Sequence, residues 1–167
     1  TDSQIGGRAY AVTVDGTTAY LGNGRRILAV DVSNPKNPVI VGQTDLLPGL
    51  VQDLAVTGDY LLAAVDEADL QVFDISTPAV LAPAASLGIP GSAYSVTVAG
   101  NRAYVAAASG ALRIIDITNP AAPAEMGAFT GPQVYGVAVS GPRAYVGAGA
   151  DGFWTLNVSD PANVTFG

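Results

Sequence analysis

Short apolar runs recur along the chain and are separated by turns that contain glycine or proline. In residues 9–22 (AYAVTVDGTTAYLG) an alternating stretch reaches Gly16, turns and resumes as a second apolar stretch. Two-residue alternation interrupted by a glycine turn is typical of a β-hairpin. The pattern returns at 51–64, 93–106 and 134–147, about 42 residues apart. The sequence therefore predicts four hairpins.

A second pattern follows each hairpin and has the same period. It consists of an apolar run, an Asp or Asn, and a turn at an X-Pro pair before the chain becomes apolar again. The four copies are ILAVDVSNPKNPVIVG (27–42), LQVFDISTPAVLAPAA (70–85), LRIIDITNPAAPAEMG (112–127) and FWTLNVSDPANVTFG (153–167). Each repeat thus contains four strands, which in the first copy are expected at 12–14, 19–21, 27–32 and 39–43.

The third strand of each repeat is apolar on both faces. In the third copy Leu112 and Ile114 lie on one face, and Ile115 and Ile117 on the other. Such a strand belongs to a sheet covered on both sides. Because four strands in about 40 residues make one propeller blade, we predict an all-β fold, a β-propeller built from four blade-like repeats. The single domain, 1–167, divides into repeats at about 8–49, 50–91, 92–132 and 133–167, the last completed by 1–7.

Four blades in a row leave an uncovered face and unpaired strand edges unless the array is completed. Three arrangements achieve this: a closed four-bladed ring, two chains in one eight-bladed ring, or neighbouring blades from another chain or from further sequence. We favour partner blades over the lone ring. Residues 1–7 and 164–167 are expected in or beside β-structure at a blade edge.

Composition excludes several functions. Cys and His are absent, which rules out thiolate and imidazole metal sites, cysteine nucleophiles and triads with a histidine base. The net charge is −7 without a basic cluster, which argues against nucleic-acid binding. No apolar run has the length of about 18 residues that a membrane helix needs. The first residue is Thr1 rather than Met, which fits removal of a signal peptide or trimming of the chain, so we expect an exported protein.

Carboxylates recur at the ends of the third strands. Asp31, Asp74 and Asp116 occupy equivalent positions, and Asn157 replaces them in the fourth repeat. Three equally spaced acids could ring an axis. A short carboxylate before Ser or Thr and X-Pro is more economically explained as an acceptor for the N–H groups of its own turn. Asn157 keeps the acceptor and loses the charge, which favours this structural interpretation.

Two positions break the repeat symmetry and are candidates for binding. Gln52 and Asp53 stand on the first strand of repeat two, where the other repeats carry tyrosine and a small residue. We predict that any small ligand or ion site includes this pair. Trp154 is the only tryptophan and is a candidate interface anchor. The acidic segment 66–69 lacks the glycine and ligand spacing of an EF-hand, and no metal site, cofactor or catalytic residue is predicted.

The repeat units AYLGNGRRILAVDVSNPKNPVIVG and AYVAAASGALRIIDITNPAAPAEMG resemble the LVIVD repeat. This resemblance covers essentially the whole chain and implies β-propeller blades of exported or cell-surface proteins in bacteria or archaea. It carries no catalytic motif. Repeat four departs from the pattern at Asn157, and repeat two lacks the second proline of the turn.

Three functions are therefore considered. The first is a non-catalytic binding or scaffold module at the cell surface, with a protein partner or self-association through propeller faces and edges. The second is a structural subunit of a larger assembly or filament. The third is a carboxylate-dependent glycosidase or lyase, which needs two acids about 5–10 Å apart. Asp53 with Asp45 is the only pair to nominate, so we expect that the protein is not an enzyme.

Overall fold

A computed structural model describes residues 8–66, 69–108, 111–131 and 133–167. These residues form four separate sheets, each of four antiparallel strands that neighbour one another in chain order. We call the sheets blades 1 to 4. Beyond the strands, the described chain has one short 3₁₀ turn, Gly149–Asp151, in blade 4. The predicted all-β fold is confirmed.

Each blade runs from an inner strand, through two middle strands, to an outer strand. Blade 1 consists of β1 (Ala9–Asp15), β2 (Thr18–Asn23), β3 (Arg26–Asp31) and β4 (Val39–Gln43). Blade 2 consists of β5 (Val51–Thr57), β6 (Tyr60–Val65), β7 (Asp69–Asp74) and β8 (Ala82–Gly88). Blade 3 consists of β9 (Ala93–Ala99), β10 (Arg102–Ala107), β11 (Ala111–Asp116) and β12 (Ala124–Thr130). Blade 4 consists of β13 (Gly136–Ser140), β14 (Arg143–Gly147), β15 (Phe153–Asn157) and β16 (Thr165–Phe166).

The first hairpin of every blade turns at a glycine, as predicted. Gly16, Gly58, Gly100 and Gly141 have φ values of 54°, 53°, 61° and 56°. This left-handed conformation has a low cost only for glycine, because other residues carry a Cβ. Each repeat therefore begins with the same tight hairpin, which fixes the pairing register of the inner strand.

The blades pack face to face around three hydrophobic cores. Inner strand β1 lies beside β5, β5 beside β9, and β9 beside β13. One core joins blades 1 and 2, the second joins blades 2 and 3, and the third joins blades 3 and 4. The middle strands carry most of the buried side chains: β6 and β10 each contain five consecutive buried residues. The expectation of blades covered on both faces is met in blades 2 and 3.

Glycines in two outer strands make room for the next blade. A Cβ added at Gly42 would lie 2.7 Å from the Ala79 carbonyl oxygen of blade 2. A Cβ at Gly127 would overlap the Pro161 carbonyl oxygen of blade 4. The X-Pro turn of one blade therefore rests against the outer strand of the blade before it. This contact adds to the cores in setting the spacing between blades.

No comparable junction joins blade 4 to blade 1 among the described residues. The three cores link blades only in sequence order, and β13 has no side-by-side contact with β1 like those of the other inner strands. At the far end of the chain Thr165–Phe166 pair with β15, as expected of a segment at a blade edge. The corresponding expectation for residues 1–7 lies outside the described residues.

Candidate binding surfaces

The strand-end acids are bound within their own turns. The Ser33 N–H donates to Asp31 Oδ1 at 2.8 Å and the Ser76 N–H to Asp74 Oδ1 at 2.9 Å. Asp116 Oδ1 accepts from both the N–H and the hydroxyl of Thr118, at 2.8 and 2.6 Å. Asn157 makes the same pair of contacts with Ser159. The predicted turn-acceptor role is confirmed in all four blades.

These hydrogen bonds favour the ionised form of the carboxylates. The pKa of Asp116 is lowered, chiefly by the Thr118 hydroxyl and then by the Thr118 N–H. The pKa of Asp74 is lowered by Ser76 in the same order, and that of Asp31 by the Ser33 N–H first and its hydroxyl second. A donor aimed at a carboxylate stabilises its charge. The charge of each acid is therefore maintained by its own turn.

Asp53 connects two blades. Its Oδ2 accepts hydrogen bonds from the Ser95 hydroxyl at 2.8 Å and from the Val96 N–H at 2.9 Å, both on β9 of blade 3. Its Oδ1 accepts from the Leu54 N–H at 2.9 Å. The residue that departs from the repeat pattern thus holds its carboxylate between neighbouring inner strands. Both of its oxygens are engaged by the protein itself.

Gln52 points to a different neighbour and does not share these contacts. Its side-chain amide lies 3.5 Å from Asp66 Oδ2, at the outer limit of a hydrogen bond. Asp66 lines a cleft of about 220 Å³ between blades 1 and 2, together with Arg25 and the 48–50 segment. The Arg25 Nε–H donates to the Leu47 carbonyl at 2.8 Å. A ligand site that includes Gln52 and Asp53 stays a prediction.

The acidic segment 66–69 contains two residues, 67 and 68, outside the described part of the chain. Of the described pair, Asp69 accepts a hydrogen bond from the Ser86 hydroxyl at 2.7 Å. Within the described residues no three acidic side chains come together as a group that could hold a metal ion. Of this segment, Asp66 therefore lines the cleft, and Asp69 is bound to the outer strand of its own blade.

Tyrosines lie at the start of the inner strands, where the ladders of β1 and β9 bulge at Tyr10 and Tyr94. Tyr94 stacks on Tyr135 with ring centroids 5.2 Å apart. The hydroxyl of Tyr135 donates to Gln133 Oε1 at 2.7 Å. Bulges redirect side chains, and the bulge at Tyr94 lies where its ring meets Tyr135 of the next blade. The Tyr94–Tyr135 pair thus packs between blades 3 and 4, whereas Tyr10 is exposed.

Trp154 lies at the junction of blades 3 and 4. Its ring packs edge-on against Phe129 of blade 3, with centroids 6.0 Å apart, and against Phe166 at 5.3 Å. Its indole N–H donates to the Asp151 carbonyl at 3.2 Å. The structure therefore places this tryptophan in an intramolecular aromatic cluster. Its role as an anchor for another protein remains a prediction.

The back face of blade 1, which points away from blade 2, is apolar and partly uncovered. Val12 is 65% exposed, whereas the equivalent Leu54 and Val96 are 5% and 4% exposed. Val14 on the same strand is 59% exposed. Farther out on this face Leu28 and Val30 are buried. The exposed apolar part is therefore its inner half, along β1.

The front face of blade 4, which points away from blade 3, also carries an exposed apolar side chain. Phe153 is 67% exposed, whereas the equivalent Ile27, Leu70 and Leu112 are fully buried in the three cores. The Phe153 ring stacks on Tyr145 of the same face, with centroids 6.1 Å apart. Both unpaired faces of the array thus carry side chains of the type that other blades bury.

Sequence reasoning did not single out Val12, Val14 or Phe153 as exposed. Their apolar character matches the general pattern, and alternation reveals which face a residue occupies without revealing whether another blade covers it. Their exposure could have been inferred only from their position, since Val12 and Val14 lie in the first of the four blades and Phe153 lies in the fourth.

Four antiparallel four-stranded blades, packed in chain order along their inner strands, define a β-propeller repeat protein. The LVIVD repeat family matches residues 6–45, 48–86, 90–131 and 133–166. The chain belongs to this family, as the resemblance indicated. A search among curated proteins finds no match.

Two solved structures of designed proteins show the same fold. The computationally designed Ika4 protein superposes with a TM-score of 0.77 at 15% identity, over 94% of this chain and 95% of that chain. The computationally designed Ika8 protein superposes with a TM-score of 0.74 at 16% identity, over 89% of this chain. The match spans only 45% of the Ika8 chain. The four-blade array is therefore similar both to a chain of its own length and to part of a longer one.

Proposed function

We propose that this chain is a non-catalytic binding or scaffold module of an exported or cell-surface protein, and that it holds a protein partner through its blade faces. The observation that carries the proposal is the exposure of Val12, at 65%, on a face whose equivalents are buried. Val14 extends this surface. Contiguous exposed apolar surface marks sites of protein association.

A non-catalytic role is supported by the arrangement of the carboxylates. Asp31, Asp74 and Asp116 are each bound in a turn, and Asp53 uses both oxygens to join two blades. An acid that must transfer a proton or attack a substrate needs an oxygen free to reach it. These acids instead serve the fold.

The structural-subunit alternative draws support from the outer strand of blade 1. Val39, Ile40 and Val41 of β4 are 49%, 48% and 39% exposed. An exposed outer strand offers unpaired backbone groups and apolar side chains to a neighbouring sheet. Lateral association through β4 would build an assembly rather than present a binding face.

A location outside the cell stays part of the proposal. It is supported by the LVIVD resemblance, which implies exported or surface proteins. No helix in the described residues has the length and apolar character that crossing a bilayer requires.

Site-specific photocrosslinking tests the proposed function. A benzophenone amino acid at position 12 samples the back face of blade 1, and the same group at Leu46, 64% exposed but in the segment between blades 1 and 2, serves as the control. In the producing cells we expect a protein adduct from position 12 and none from position 46. Absence of any adduct at position 12 would contradict the proposal. A third probe at Ile40 samples the exposed outer strand β4, and an adduct from this position alone would favour the structural subunit.

A further inference from the structure

We infer that the partner of the uncovered blade 1 face is a second copy of this chain, docked through its blade 4. Two such junctions, related by a two-fold axis, would join two chains into one ring of eight blades. This inference rests on the proposed function and names its partner. It selects the two-chain arrangement among the three that the sequence left open.

The strongest support is that the chain already contains the same junction three times. In each, the front face of one blade packs on the back face of the next and forms a hydrophobic core. The front face contributes Ile27, Leu70 or Leu112, all fully buried, and the back face contributes Leu54 or Val96, 5% and 4% exposed. A junction between blade 4 and a second blade 1 would continue this series.

Both halves of the missing junction are present on one chain, and each has an apolar side chain that is left exposed. Phe153 is the front-face residue of blade 4 and is 67% exposed, and Val12 is the back-face residue of blade 1 and is 65% exposed. Because each chain carries one copy of each half, two copies can satisfy both. A two-fold ring closes without leaving either half exposed.

A polar contact accompanies the apolar one. At the junction of blades 3 and 4, Arg102 Nη1 lies 3.4 Å from the Val158 carbonyl oxygen. Arg143 is the blade 4 equivalent of Arg102, since both pair with the residue that ends the third strand. It is exposed. In the proposed ring Arg143 would meet the carbonyl of Val32 in the second copy, the position equivalent to Val158.

The fold comparison is compatible with a longer array. The four blades superpose on 45% of the Ika8 chain with a TM-score of 0.74. The spacing and rotation between successive blades are therefore similar to those in part of a chain about twice as long. The inner strands β1 and β13 also lack the close approach that a four-bladed closure would impose.

Analytical ultracentrifugation of the purified chain and of three matched variants tests the inference. Val12→Asp and Phe153→Asp each place a charge on one half of the junction, and Leu46→Asp, at 64% exposure, is the control. Burial of an unpaired carboxylate costs several kcal/mol, so we expect at least about 100-fold weaker dimerisation for the first two. The wild type and Leu46→Asp should sediment as dimers. Circular dichroism spectra and unfolding midpoints establish that each monomeric variant remains folded.

Mixing the two variants tests the direction of docking. Val12→Asp retains an intact blade 4, and Phe153→Asp retains an intact blade 1, so a mixture can form one complete junction. We expect dimers in the mixture and monomers in each separate sample. If Phe153→Asp alone stays dimeric while Val12→Asp does not, the copies pair blade 1 to blade 1 and the inference is wrong.

Other outcomes are equally decisive. A monomeric wild type overturns the second-copy inference, and a concentration-dependent series of larger polymers overturns the closed ring. The crosslink at position 12 shows whether only the second-copy inference is wrong or the proposed function as well. An adduct with a different protein preserves the function and rejects the second copy, whereas no adduct rejects both.

Discussion

The Asp53 carboxylate accepts a hydrogen bond of 2.8 Å from the Ser95 hydroxyl and so joins the inner strands of blades 2 and 3. The same oxygen accepts from the Val96 N–H, and the other accepts from the Leu54 N–H. Of the four equivalent positions only this one carries a charge, since the others are Ala11, Ser95 and Gly136. One blade junction is thus reinforced by a polar link that the repeat does not require.

Replacing Asp53 should destabilise the fold even when the replacement keeps one acceptor. Asp53→Ala leaves three donors without their partner and should cost about 1–3 kcal/mol of unfolding free energy. Asp53→Asn should cost a similar amount, because an amide has one acceptor oxygen whereas the carboxylate uses both. Denaturant unfolding measures the loss, with the exposed Asp59→Ala as control. A wild-type midpoint for Asp53→Asn would instead point to a role in ligand binding.

Replacing Asp116 should behave differently. Both contacts from Thr118 reach the single atom Oδ1, so Asp116→Asn keeps the acceptor and should be tolerated, as Asn157 is in blade 4. Asp116→Ala removes the acceptor and should lower the unfolding midpoint. Denaturant unfolding of the two variants checks the contrast. Equal losses for both would show that the charge itself is required and would revive a metal or ligand role.

The strand-end acids predict how stability depends on pH. The folded pKa values of Asp31, Asp74 and Asp116 are lowered from 3.8. A lowered folded pKa means that the unfolded chain takes up protons first as pH falls. The stabilising contribution is therefore complete well above pH 3.8 and is lost as pH falls from there through the folded pKa values.

Unfolding free energies measured between about pH 6 and about pH 2 test this expectation. The triple variant with Asn at all three positions should show a shallower loss of stability toward low pH than the wild type. A variant with Asn at the exposed Asp15, Asp59 and Asp160 controls for net charge. Identical acid profiles for the triple variant and the wild type would contradict the proposed linkage.

Most of the fold could be predicted from the sequence because the same pattern of strands and turns recurs in four repeats. The strands expected at 12–14, 19–21, 27–32 and 39–43 all lie within or largely within β1 to β4. The hairpin glycines follow from the backbone conformation of a tight turn. The turn acids follow from hydrogen bonds whose donor and acceptor are two residues apart. Local patterns of this kind need no knowledge of how blades pack.

Relations between blades were harder to predict. Asp53 was recognisable as a break in symmetry, yet its partner Ser95 lies 42 residues away and depends on the offset between neighbouring inner strands. Val12 and Leu54 occupy the same repeat position, and they differ in whether another blade of the structure covers them. Alternation encodes the face of a strand, whereas exposure depends on the neighbour, which a repeat pattern does not specify.

The contact between Gly127 and the turn of blade 4 predicts where the outer strands tolerate no added atom. A Cβ at Gly127 would overlap the Pro161 carbonyl oxygen and lie 2.7 Å from its carbon, both of them backbone atoms. Backbone cannot rotate away as a side chain can, so blades 3 and 4 would have to separate. We expect Gly127→Ala to cost about 1–3 kcal/mol of unfolding free energy.

Gly136→Ala provides the matched control for Gly127→Ala. An added Cβ at Gly136 meets no atom within 4 Å, and blade 1 carries Ala11 at the equivalent position. The unfolding free energy of this variant should equal or slightly exceed that of the wild type, because alanine restricts the unfolded chain more than glycine does. Denaturant unfolding of the two variants and the wild type measures the difference. A neutral Gly127→Ala would mean that the X-Pro turn of blade 4 does not rest on the outer strand of blade 3, and that the hydrophobic core alone sets the distance between these blades.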